Sequence, residues 1–298
     1  MKMKKIISLL SAVLALAAVG CSKDTTANDE VGKIVNTLTV DIEGSNDTRL
    51  SAAHSAAGLK FNWDAADAIY VVPAEAGNYN YGLYIYKSNG TFEFSTGSGT
   101  PMEVGKQYYA VYGTKYARED MGFNSESQIR TFLKLSSVVN ATTSISWLPM
   151  ISEVFTCTAD GTIATMHHVA GVIEAPVKVA EGAQKMTLFG LYSGTNTMSG
   201  WVSVSPSATP EWTVAKYDNG SIGTTKYVDW EGELSLTTTE QSIFIPVLPD
   251  TYTNINVYYN LGDETNRETD EEHYQTNLVV ERGKITKLPV TTLVPEDN

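Results

Sequence analysis

Residues 34–42 read Ile34-Val-Asn-Thr-Leu-Thr-Val-Asp-Ile42. Leu38, Val40 and Ile42 alternate with Thr37, Thr39 and Asp41, the period of two that marks a strand with one face buried and one face wet. The same texture continues outward along the chain. Ala68-Ile-Tyr-Val-Val72, Tyr81-Gly-Leu-Tyr-Ile-Tyr86 and Gln107-Tyr-Tyr-Ala-Val-Tyr112 are rich in aromatic and β-branched residues. So are Val169–Val179, Gln241-Ser-Ile-Phe-Ile-Pro-Val247 and Asn254-Ile-Asn-Val-Tyr-Tyr259. Turn signals separate them: Asn89-Gly90, Gly97-Ser-Gly99, Asp160-Gly161 and Asn219-Gly220. No long segment has a 3.6-residue apolar period, and only the stretch from Tyr116 to Arg130 leaves room for a short helix. Short strands with tight turns predict an all-β chain of β-sandwich type.

Ahead of this strand lies a different kind of sequence. Lys2, Lys4 and Lys5 form a basic start, and Ile6 to Val19 is apolar except for Ser8 and Ser11. That run is shorter than the roughly 20 residues a bilayer span needs, and it has the layout of a signal peptide over 1–20. Ala18-Val19-Gly20-Cys21 reads as a lipoprotein cut site, with Cys21 the lipidated first residue of the mature chain. The alternative is an ordinary secretory peptide with an incidental Cys. Acyl chains anchor durably, at about 0.8 kcal/mol for each buried CH₂, and no later stretch is long and apolar enough to span a membrane. Residues 22–33 are polar and read as a flexible tether from the membrane.

The 298 residues carry 21 basic and 34 acidic side chains, a net charge of −13. Without the three lysines of the leader the balance is 18 against 34, or −16. Such a chain repels nucleic acid and anionic lipid. Once Cys21 carries lipid, Cys157 has no disulfide partner and reads as a small buried apolar residue. The length predicts two domains, with a boundary near 163 after the turn at Asp160-Gly161.

At this point the residues resemble a known family, the fimbrillins, type V pilins of Bacteroidetes. A lipobox is followed by a polar tether, one strand and Thr48-Arg49. Phe61-Asn-Trp63 with Asp67-Ala-Ile-Tyr-Val71 looks like the family's W…D-x-I-x-V opening. Gln107–Tyr112 is similar to its yyAvYP strand, with Gly113 where proline is usual. Ser146-Trp-Leu-Pro-Met150 and His168-Val-Ala-Gly-Val-Ile173 are similar to the segments that close the first domain and open the second. The resemblance implies two transthyretin-like β-sandwich domains in tandem, over 50–163 and 164–298, after a signal peptide at 1–20 and a lipidated tether with a removable first strand at 21–49. It implies a structural subunit of a cell-surface fimbria, made as an outer-membrane lipoprotein and supporting adhesion or biofilm formation. An arginine-specific protease would cut after Arg49, before Leu50. The first strand would then leave, and a strand of another pilin subunit would take its place.

The sequence is compatible with that route. Arg49 is the only Arg between Cys21 and Arg118, and its small, polar neighbours suit an accessible loop. Arg49 as a plain solvated linker charge is the alternative. Loss of Leu38, Val40 and Ile42 would uncover a strand edge, and uncovered edges pair with whatever strand is at hand. The expected donor is the C-terminal tail, with Leu288, Val290, Thr292 and Val294 on one face and Lys287, Pro289, Thr291 and Leu293 on the other. The tail as the last strand of its own domain is equally open.

Chemistry is sparse. His167-His168 would point to opposite faces of a strand, and there is no HExxH, CxxC or G-x-S-x-G. No metal, no cofactor and no catalytic residue are expected. The acidic run 263–272 lacks EF-hand order and reads as a solvated hairpin tip. Trp201, Trp212 and Trp230 read as core residues rather than a sugar platform. Three rival readings remain: an anchor subunit that keeps its lipid, a glycan-binding surface lipoprotein, and a secreted hydrolase, for which the sequence offers no site. A host or bacterial surface ligand is a further expected partner.

Overall fold

The computed structural model describes residues 30–43, 53–55, 58–60, 63–113, 121–140, 148–215, 223–262, 273–274 and 277–294. All regular structure among the described residues is strand. The region from Tyr116 to Arg130, where a short helix had room, holds instead a strand at Met121–Phe123. A turn follows, in which Gln128 N–H bonds the Ser125 hydroxyl at 3.0 Å. Asn124 stands between them with φ at 50°, a left-handed conformation that a helix cannot contain.

An eight-stranded sheet organises the N-terminal part. Its order is Met150–Ser152, Ile163–His168, Thr37–Ile42, Thr91–Gly99, Gly82–Ser88, Ala68–Pro73, Gln107–Tyr112 and Phe155–Thr156. Met150–Ser152 also pairs with Gln107–Tyr112, so the first seven strands close into a ring. Alternation drives this. Leu38, Ile69, Val71, Tyr84, Phe92, Tyr109, Val111 and Met166 turn into one core and are essentially fully buried. The predicted sandwich of this part thus takes the form of one sheet closed on itself. Trp63 plugs the core, edge-on to Phe92 at 4.9 Å and to Tyr112 at 5.2 Å between ring centroids. Asp67 accepts the Tyr112 hydroxyl at 2.8 Å and the Asp64 amide at 2.6 Å. The Trp63 and Asp67 motif residues are therefore structural. Cys157 is buried, as expected, and burial pushes its thiol up.

The second core lies between two sheets. One runs Val138–Asn140, Tyr227–Thr237, Ala183–Ser193, Ile255–Leu261, His273–Tyr274. The other runs Gln241–Val247, Gly171–Val179 and then Ile285–Lys287, with Thr291–Leu293 on the same edge. Trp230, Phe189, Ile173, Val177, Ile245, Val257 and Leu293 fill the space between them. The chain passes from the first core at Val172 to the second at Ile173. Position 163 is instead the first residue of a strand that stays in the ring. The Asp160-Gly161 turn joins Phe155–Thr156 to Ile163–His168 within one sheet. A third sheet bridges the two parts: Thr131–Leu135 pairs with Ser199–Val204, and Val202 and Val204 pack into the first core.

Gly190 shows how tightly the second part is built. It faces Tyr258 across the ladder, and a Cβ there would sit 2.0 Å from the Tyr258 ring. That ring delivers its hydroxyl to the buried Asp229 carboxylate. Gly190→Ala is expected to displace the ring and destabilise the chain by about 1–3 kcal/mol, read as a lower midpoint in denaturant unfolding.

Candidate functional site

The strand Thr37–Ile42 is held on both sides. Its first half pairs antiparallel with the strand at 91–99, matching Leu38 to Phe92. Its second half pairs parallel with the strand at 163–168, matching Val40 to Ala164 and Ile42 to Met166. It is the parallel link in a ring whose other pairings are antiparallel. Leu38, Val40 and Ile42 are buried, while Thr37 and Asp41 face out and Thr39 is half-buried. The expected inward face of this strand is the observed one.

The residues before it are bound as well. Ile34–Val35 pairs with Met102–Glu103. Gly32 N–H reaches the Val104 carbonyl at 3.1 Å, and Val104 N–H reaches Lys33 at 2.9 Å. Tyr84, fully buried, donates its hydroxyl to the Val35 carbonyl at 3.0 Å and accepts the Met102 amide at 2.9 Å. Burial pushes the Tyr84 phenol up, so it remains a donor at neutral pH. Residues 30–43 thus occupy one continuous groove.

At the far end of the groove sits Glu43. One carboxylate oxygen lies 2.6 Å from an Arg282 guanidinium nitrogen and 3.0 Å from His167 Nδ1. Burial alone would raise this carboxyl. Hydrogen bonds from Arg282 and His167, with their charges, outweigh it and hold the group below the usual glutamate range. The other His167 nitrogen lies 3.3 Å from Glu153. Arg282 also reaches the carbonyls of His168 at 3.4 Å and Ala208 at 3.3 Å. Its turn ties the ring to the second core. Beside it His168 is buried, which drives its imidazole down to about 4 and keeps it neutral at pH 7. Sequence reading missed Glu43 and Arg282. They lie 239 residues apart, and a lone Glu after a strand signals nothing.

The C-terminal tail lies in its own domain. Ile285–Lys287 and Thr291–Leu293 both pair parallel with Gly171–Val179. Leu288, at 4% exposure, points inward together with Thr291 and Leu293, while Val290 at 40% and Val294 at 52% face out. The expected face of Leu288, Val290, Thr292 and Val294 is therefore corrected: the pattern breaks at Pro289, which cannot continue a ladder. Lys287 lies 3.3 Å from the buried carboxylate of Glu174 and from Glu240.

The other expectations are placed as follows. Cys21, Arg49, Leu50 and the acidic run 263–272 lie outside the described residues. His167 and His168 are both buried, and His167 meets Glu43 and Glu153. Trp230 is core; Trp201 and Trp212 are half-buried, and Trp212 donates to the Pro249 carbonyl at 3.3 Å. A cleft of about 670 Å³ is lined by Tyr81, Tyr108, Glu75, Glu103, Asn80 and Lys106 among others.

No protein-family model matches the chain, and no curated protein matches it. Solved structures do. One is a candidate cell adhesion protein from Bacteroides ovatus, 13% identical over 84% of this chain and 88% of that one, with a TM-score of 0.46. Another, from Bacteroides uniformis and described in the same words, is 13% identical over 86% and 93%, also at 0.46. A fimbrial protein from Bacteroides ovatus is 10% identical over 87% of this chain and 50% of that chain, at 0.34.

Two outcomes follow from the groove. Leu38→Ala removes a side chain that fills the ring and should cost about 2–5 kcal/mol, with faster amide exchange over 37–42 than in the second core. Glu43 should give a pH signature. Its folded pKa is lowered, so its contribution is complete above the ordinary value of about 4.3 and fades as pH falls through the lowered one. Acid titration below pH 4, followed by exchange at 37–42, should show this fading in the parent chain and not in Glu43→Gln.

Proposed function

We propose that this chain is a fimbrillin-like subunit of a cell-surface pilus. It is exported as a lipoprotein through Cys21, cut after Arg49 by an arginine-specific protease and polymerised by strand exchange. It acts through assembly rather than catalysis, with adhesion or biofilm formation as the outcome. One observation carries the reading: the sequence-predicted first strand completes a closed ring, pairs on both flanks and seats three apolar side chains in the core. Its only chain connection onward runs through the segment that holds Arg49. Removal would leave two unpaired strand edges and an apolar groove, an arrangement that takes up a strand from another chain. A head-to-tail contact of this kind grows a fibre because it does not close.

The paired tail favours a second reading, an anchor subunit that keeps its lipid and first strand. In that case the tail would stay on the 171–179 strand and nothing would be donated.

The test is the N-terminus of the mature protein. Treatment of the lipidated precursor with an arginine-specific protease should give a form beginning at Leu50, 298 − 49 = 249 residues long. That form should polymerise, whereas Arg49→Ala should stay monomeric with an intact junction. Surface material that retains Cys21 and the Arg49-Leu50 bond would establish the anchor reading instead.

A further inference from the structure

An alternating strand has a weakness as a plug. Shifting it by two residues returns apolar side chains to the core face and polar ones to solvent, so alternation alone does not fix register. Nor does it fix direction, because the groove offers an edge on each side, one paired parallel and one antiparallel. Something outside the alternation must choose. Glu43 is placed to do so. It follows directly on Ile42, beyond the end of the strand, where Arg282 and His167 converge on a single carboxylate oxygen.

We propose that Arg282 and His167 form a carboxylate receptor at the end of the first-strand groove. It selects, from neighbouring subunits, an incoming strand with three alternate apolar residues followed directly by an acidic one. The receptor rests on the strand-exchange reading and deepens it. With Glu43 gone, Arg282 keeps only the carbonyls of His168 and Ala208, and its charge lacks the carboxylate that Glu43 supplies. A charge-assisted hydrogen bond from Arg to a carboxylate is among the stronger polar contacts available. The bond also sets direction, since a strand running the other way would bring its acid to the opposite end of the groove. A strand without the acid leaves a half-buried guanidinium unmatched, a penalty that separates right from wrong partners. In this chain's own tail the acid after Val294 comes at Glu296, one place later than Glu43 follows Ile42. The receptor therefore ranks that tail below a strand with the acid in register.

The probe is the precursor cut after Arg49, followed by release of the 21–49 fragment and its displacement by a synthetic peptide of residues 33–43. Glu43→Gln should speed release by about threefold to tenfold, and the peptide with Gln at that place should compete more weakly by the same factor. Asp41→Asn removes an equal charge from the outward face of the strand and should change neither. Arg282→Glu should reproduce the fast release, and Glu43→Arg combined with Arg282→Glu should restore slow release. Equal effects of Glu43→Gln and Asp41→Asn, or none from either, would overturn the receptor while leaving strand exchange intact. If the protease does not cut at Arg49, maturation fails as a reading. Hydrogen exchange over 37–42 in the uncut chains then decides the receptor: faster in Glu43→Gln than in Asp41→Asn supports it, and no difference overturns it.

Discussion

The constraint on which the N-terminal half depends is closure of a sheet through one strand that is joined to the next element by a long connection, not a tight turn. Sheet edges invite pairing, and a ring abolishes them. Here the ring closes at 37–42, where the strand meets Ile163–His168 in parallel and Thr91–Gly99 antiparallel. A parallel contact cannot be made by a hairpin. The strand must therefore arrive from a distance, and what arrives from a distance can also depart. Unlike Gly82–Ser88, which forms hairpins with Ala68–Pro73 and Thr91–Gly99, the strand that completes the core shares no hairpin with a neighbour in sequence. Its three inward side chains lie in an apolar core, with Leu38 paired to Phe92 and Ile42 to Met166 across the ladders, so most of what holds the strand is hydrophobic burial.

The second half is built by different means. Two sheets face each other over Trp230, Phe189 and the valines and isoleucine of Gly171–Val179, and among the described residues no single strand closes them. Two of the ties between the halves bear on the first strand and its ring. The third sheet lays Ser199–Val204 against Thr131–Leu135, which sends Val202 and Val204 into the first core. Arg282 carries another link, from a turn in the second half to Glu43 at the end of the first strand.

Much of this was legible in the residues, because alternation is a local property. The inward face of 34–42, the aromatic strands at 68–72, 81–86 and 107–112, and the burial of Cys157 all follow from period two and residue type. The misses share one cause: they depend on partners remote in sequence. The Asp160-Gly161 turn has the chemistry of a boundary and the role of an ordinary turn, because the strand after it finds Val40 and Ile42, more than a hundred residues earlier. The stretch before Arg130 could take a helix until Asn124, in the left-handed region, spends its amide on the carbonyls of Pro73, Glu75 and Asn78. The tail alternates on paper, but Pro289 interrupts the ladder, so Leu288 and Leu293 fall on one side despite an odd spacing.

That interruption divides the tail into two parts with different freedom. Before Pro289, Lys287 lies in register with Glu174 and near its buried carboxylate. Withdrawal of the lysine would take its cation from beside a buried carboxylate, leaving the Ser242 hydroxyl at 2.7 Å, so this part is the more firmly held. After Pro289, Thr291–Leu293 is held by edge pairing, by Leu293 in the core and by the Tyr259 hydroxyl, which bonds the backbone of Val294. Those contacts are of the kind another sheet edge could supply in exchange. If the tail is a donor, only the part beyond Pro289 is free to give, and the donated strand is short. A short strand fixes fewer ladder bonds, so more of its selectivity must come from whatever lies at its end. In the tail that end carries Glu296, one place out of the register that Glu43 keeps with Arg282.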